Sequence, residues 1–241
     1  MKLTRNNKTF EIQNPNFDFI SKQSNEFSKD EANRIKDEVL KEYFDNHKKN
    51  DDINIVLKKV TLINSFYNTF IQNDELVMVA QHIVELDRLF SRTHKSFSTR
   101  IENGEINIVN FIAYYGDTKK LPHNIYSFAS KYCSFHNSEK YPIVDSYAKG
   151  MIYFINKSER YCKNRVNTSM KSLNDYRVFC EMYEAFIRSY AIKDGKKLSF
   201  KKVDEYLWFY ATTIAKDNED FKYIIRIDDS EKPETVYLKI D

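Results

Sequence analysis

The chain has 241 residues, 30% of them charged and 41% hydrophobic, which suits one large globular domain or one domain with a small appendage. Its net charge of +3, from 38 basic and 35 acidic side chains, neither requires nor excludes a nucleic-acid partner, because a local patch can bind phosphate without moving the total. With 4 Gly and 4 Pro against 17 Tyr and 18 Phe, a turn-dense β sandwich and a glycine-rich nucleotide-binding fold are excluded; the pattern predicts a mainly α protein with a ring-rich core.

In chain order, residues 1–27 are Asn- and Phe-rich without helical period and read as an extended arm, in which the alternation of Phe10 and Ile12 suits a short strand. Ser28-Lys29-Asp30-Glu31 has capping-box spacing and predicts a helix over 28–47. In 55–71, Val56, Val60, Ile63, Tyr67 and Phe70 recur at three and four residues, the mark of a buried helix face. Asn73 is placed to cap a helix over 74–86, with Val77, Ala80 and Val84 inward. The basic run 88–104, with Arg88, Arg92, His94, Lys95 and Arg100, reads as a solvated loop rather than a phosphate-contacting strip. A helix over 105–115 follows, stopped at Gly116.

The central stretch is 124–154. A helix over 125–136 carries Lys131, a break covers 137–142, and Asp145 opens a second helix. Lys131 lies on the flank of the stripe formed by Ile125, Phe128, Ala129, Tyr132 and His136, where His136 reads as a packed core residue. Gly150 in mid-helix signals the close approach of another backbone. Beyond a basic connection over 157–174, residues 175–191 give the cleanest helical stripe: Tyr176, Phe179, Cys180, Tyr183, Phe186, Ile187 and Tyr190. Ser199 caps a further helix to 216, with Trp208 beside its apolar face as a core or rim residue. The tail 223–241 alternates apolar and polar residues and reads as a β-hairpin. The organisation expected is an arm (1–27), a helical domain (28–220) and a C-terminal β-hairpin (221–241).

Cys133, Cys162 and Cys180 are odd in number and far apart, so no disulfide framework, zinc site or iron–sulfur cluster is expected. The five histidines lack ligand spacing, and no metal or other cofactor is expected. No apolar run approaches the ~20 residues that cross a bilayer. The N-terminus has no apolar signal core, so a cytoplasmic protein with no membrane partner is expected.

The runs Ser127-Phe128-Ala129-Ser130-Lys131 and Pro142-Ile143-Val144-Asp145 resemble two motifs of the helix-hairpin-helix DNA glycosylases, the superfamily of endonuclease III-like and 8-oxoguanine glycosylases. The first is similar to a glycine-x-glycine-x-lysine hairpin that opens a helix, the second to a Pro-x-Asp motif that opens the next. More faintly, residues 62–69, with Asn64 and Asn68, resemble an upstream helix whose end lies near the DNA minor groove. The likeness covers about half of the chain, centred on 55–157. It departs from the family in that Ser127 and Ala129 replace both hairpin glycines, and in a shorter lysine-to-aspartate separation.

The resemblance implies a helix-hairpin-helix-like element and excision of a modified base flipped out of double-stranded DNA. It makes Lys131 the nucleophile and Asp145 the electrostatic stabiliser. Ser127, Phe128, Ala129, Ser130, Asn64 and Asn68 would contact DNA, and Tyr132, Phe135 and Trp208 would wall the base pocket. The competing expectation is a non-catalytic helical module that binds nucleic acid or protein on the same scaffold.

Overall fold

The computed structural model describes residues 1–114 and 125–225. Helices dominate them, as the glycine-poor, aromatic-rich composition predicts. These described residues divide into two compact units, one built from 1–31 and 142–225 and the other from 32–114 and 125–141.

The first unit opens with a hairpin, β1 (Lys2–Arg5) and β2 (Lys8–Glu11), in which Leu3 faces Phe10. Asn6 and Asn7 form its turn at φ 47° and 63°, a left-handed conformation that asparagine tolerates better than most residues. Helix α1 (Phe17–Ser28) follows, capped by Asn16, whose side chain accepts from the Phe19 amide at 2.9 Å. The expected extended arm is therefore a hairpin and a helix. Few residues anchor that helix: Phe19 packs edge-on against Tyr206 and Tyr210, and Phe27 against Trp208. Ser28 ends this helix instead of capping the next; its hydroxyl donates to the Ser24 carbonyl.

The remainder of this unit is α8 (Ser146–Glu159), short 3-10 turns at Lys163–Arg165 and Lys171–Asn174, α9 (Tyr176–Tyr190), α10 (Phe200–Asp217) and α11 (Glu219–Ile225). The two-residue strands β3 (Ile192–Lys193) and β4 (Lys196–Lys197) join α9 to α10. Asp175 and Ser199 cap α9 and α10 as their positions predict. Gly150 meets the predicted backbone: a Cβ built there would lie 1.6 Å from the Ile225 carbonyl oxygen, so α8 and α11 touch through the missing side chain. Tyr223–Ile225, expected to begin the C-terminal hairpin, complete α11. The rest of that hairpin, 226–241, lies outside the described residues.

The second unit contains α2 (Glu31–Asn46), α3 (Ile53–Tyr67), α4 (Leu76–Phe90), α5 (Phe97–Asn103), α6 (Asn107–Tyr114) and α7 (Tyr126–His136). Helix α3 packs on α4 and α7, and α6 on α7. Asp52 caps α3, and Val56, Val60 and Ile63 are buried as predicted. Tyr67 is the last helical residue, so Phe70 falls in the following loop and is 77% exposed, at φ 60°. Asn73 does not cap α4, which starts at Leu76 after Glu75; Ala80 and Val84 face inward, whereas Val77 is exposed. The basic run is partly ordered, because Ser96 caps α5 and Gly104 ends it at φ 76°. There Arg100 lies over the Phe90 ring and pairs with Glu105 at 2.7 Å. The predicted C-cap Gly116 lies outside the described residues.

Candidate functional site

Helix α7 turns its apolar stripe into the second unit, with Phe128, Ala129 and Tyr132 fully buried. Lys131 is buried as well, at 5% exposure, and its Nζ donates to the Ser127 hydroxyl one turn back at 2.7 Å. A flank lysine can be solvated; this one is drawn into the protein.

The same helix corrects one expectation. Ser127 to Ser130 form the first turns of α7, not a hairpin, and the Ala129 amide already donates to the Ile125 carbonyl at 2.8 Å. Phe128, Ala129 and Ser130 have no exposed surface, so these residues cannot cradle a phosphate in the way the glycine hairpin would.

In the first unit Asp145 opens α8 as predicted. Its carboxylate accepts from the Tyr147 amide at 2.8 Å and the Ala148 amide at 2.7 Å. A carboxylate in this position faces the positive end of the helix dipole, which favours its charged form. Residues 142–145 are held from both ends: the Tyr176 hydroxyl donates to the Pro142 carbonyl at 2.9 Å, and the Ile143 amide donates to Asp204 at 3.1 Å. Asp204 is also 2.8 Å from the Tyr183 hydroxyl, and burial pushes its carboxyl well above the usual range. Sequence reading missed Asp204 because nothing in its own helix marks it; its role lies in a contact across 61 residues.

The other proposed site residues are dispersed. Asn64 spends its side chain on the loop after α3, donating to the Ile71 carbonyl at 2.8 Å and accepting from Thr69 and the Ile71 amide. Asn68 ends α3 in a left-handed conformation and is exposed. Tyr132 and Phe135 both pack on the Phe44 ring, while Trp208 belongs to the first unit and lies against Phe27. Tyr132 is thus core, not the wall of an open base pocket.

A second polar centre in this unit was not anticipated. Lys59, with no exposed surface, donates to the Lys49 carbonyl at 3.0 Å and to Asn50 Oδ1 at 2.9 Å, and lies 3.3 Å from His136 Nε2. The Tyr132 hydroxyl donates to the same Asn50 oxygen. Burial lowers the Lys59 ammonium to about 7 and holds His136 well below its ordinary value, where Lys59 and Lys48 act in the same direction. The signal was present in the sequence: Lys59 falls on the Val56–Val60–Ile63 stripe, where a charged residue is out of place. His136, Asp45, Lys48, Ser98 and Glu102 line a cavity of about 70 Å³ beside this centre. Drug-sized ligands need roughly 300 Å³ or more, so this cavity is too small for a nucleobase.

Among the described residues no group of three or more His, Cys, Asp or Glu could hold a metal ion, and no helix is long and apolar enough to cross a membrane.

Comparison with known proteins yields no matching solved structure. The chain is similar to an uncharacterized protein of Haemophilus influenzae, 29% identical over 161 residues that cover 66% of this chain and 67% of that protein. A family model, the HI_0787_N N-terminal domain, matches residues 19–140. The matched region stops just before the change of unit between Tyr141 and Pro142, so it includes Lys59, Lys131 and His136 but not Asp145. Since that model spans half of the sequence, the chain belongs to the HI_0787_N family.

Proposed function

We propose that the protein is a DNA glycosylase of the helix-hairpin-helix type, possessing lyase chemistry and acting on a base flipped from double-stranded DNA. The observation that carries this reading is the burial of Lys131 at 5% exposure, with its amine steered by Ser127. A poorly solvated, oriented amine is what a Schiff-base-forming lysine needs. In the proposed reaction the bond from sugar to base breaks as the Lys131 amine attacks C1′. The base leaves with the bonding electrons and takes up a proton, and loss of a proton and ring opening give the imine. The resemblance gives Asp145, whose carboxylate accepts from two amides of its own helix, the role of steadying the positive charge that builds on the sugar. The same reading assigns the chain to the cytoplasm, where its three buried thiols stay reduced.

The experiment is borohydride reduction of the full chain mixed with a duplex containing one abasic site. The expected result is a covalent protein–DNA adduct that is lost in Lys131→Ala. No adduct from the wild-type chain rejects the enzyme. One observation favours the alternative, a non-catalytic binding module: the Ser127–Ser130 run lies in the first turns of α7, with Phe128, Ala129 and Ser130 buried, and offers no phosphate cradle. On that reading the duplex binds without any covalent product.

A further inference from the structure

Lys59 stands among three acceptors: the Lys49 carbonyl, Asn50 Oδ1 and His136 Nε2. An ammonium has one proton for each. The imidazole must then offer a lone pair at Nε2 and carry its own proton on Nδ1. Remove one proton from the amine and it still serves both oxygens, but its lone pair now faces that of Nε2 across 3.3 Å. A buried contact between two acceptors is costly, and it is relieved when the ring proton moves from Nδ1 to Nε2. Lys59 passes a proton to Nε2 and the ring gives up the Nδ1 proton, so the pair as a whole loses one proton, which goes to water or to an acceptor held in the adjoining cavity.

The ring that would release this proton lines the cavity shared with Asp45, Lys48, Ser98 and Glu102. We propose that Lys59 and His136 form a proton relay opening on this cavity, which takes a small polar ligand carrying an oxygen or nitrogen acceptor. The lowered Lys59 ammonium places the exchange near neutral pH. Asp87 of α4 and Asp51 of the α2–α3 connection favour the charged lysine, and Lys48 and Lys59 keep the ring neutral. Phe44 and Tyr132, 5.1 Å and 5.8 Å from the amine, screen it from water on two sides. The relay lies within one unit and is independent of the base-excision reading.

The test is long-range proton–nitrogen NMR of the full chain labelled with 15N-histidine, titrated from about pH 6 to about pH 8.5, bracketing the Lys59 value. The expected result is that His136 stays neutral throughout while its Nδ1–H form gives way to the Nε2–H form, with a midpoint near 7. Lys59→Met should leave a single tautomer at every pH. A single tautomer in the wild-type chain overturns the relay, and so does a ring that becomes imidazolium in the ordinary histidine range. Should Lys59→Met fail to fold, the wild-type titration decides alone.

Discussion

Burying Lys59 makes the stability of the protein depend on pH in a direction opposite to ordinary alkaline loss. Its ammonium sits at about 7 in the fold against 10.5 when unfolded. Between those values the unfolded chain holds the extra proton, so unfolding becomes harder as pH rises from about 7 towards 10.5 and is indifferent to this group below about 6. A separation of about 3.5 units corresponds to roughly 5 kcal/mol in all, and linkage places about 3 kcal/mol of it between about pH 6 and about pH 9. Lys59 has no exposed surface, so solvent screening does not dilute the effect. The assay is urea unfolding followed by circular dichroism at both pH values, for the wild-type chain and for Lys59→Met. The variant also takes the Lys59 donor from the Lys49 carbonyl, a penalty of about 1–3 kcal/mol that does not change with pH, while Asn50 Oδ1 keeps the Tyr132 hydroxyl. Subtracting the two profiles removes other titrating groups. The difference is expected to shift by about 3 kcal/mol in favour of the wild type on going to the higher pH; parallel profiles would refute the reasoning.

Three further outcomes follow from packing and capping. Gly150→Ala forces a methyl into the Ile225 carbonyl and is expected to cost about 3 kcal/mol or more, read as a lower denaturation midpoint; an unchanged midpoint would mean that α8 and α11 do not touch there. Asp145→Asn keeps a capping oxygen but removes the charge, so stability should hold within about 0.5 kcal/mol while, on the proposed excision reading, base release falls about 100-fold or more. Asp145→Ala should add a capping loss of about 1 kcal/mol. The Asp204 carboxyl is raised in the fold, so its contribution to stability is complete at acid pH and is lost as pH climbs through the folded value. Asp204→Asn, which imitates the protonated acid, should be at least as stable as the wild type at about pH 8, measured by thermal unfolding; a marked loss there would show that the ionised carboxylate is what the Ile143 amide and Tyr183 require.

Wherever a helix buries a continuous apolar stripe, the sequence revealed it. The α9 stripe, the Asp145 and Ser199 caps and the demand of Gly150 for a neighbouring backbone could all be read locally. Helix α1 was hidden because its anchoring residues, Phe19 and Phe27, are held by rings on α10 nearly two hundred residues away. The capping-box spacing at Ser28 misled for a similar reason: Ser24 and Ser28 continue a helix that tertiary contacts had already begun. At the candidate site, Lys131 and Asp145 could be picked out by type and position. The burial of Lys131 could not, because a flank position is compatible with water or interior. Lys59 and His136 were each visible as apolar-face residues, but their meeting depends on how α3 packs on α7, which no local pattern encodes. Asp204 escaped notice for the same reason.

Identifying the amine in the borohydride adduct tests the proposed base-excision chemistry most directly. The wild-type chain, reduced in the presence of an abasic-site duplex, is digested with protease and nuclease, and the peptide bearing the sugar remnant is sequenced by mass spectrometry. The expected site is the Lys131 side chain. A remnant on Lys59, on the terminal amine of Met1 or on exposed lysines scattered over both units would contradict that assignment, and no remnant at all would reject the proposed chemistry.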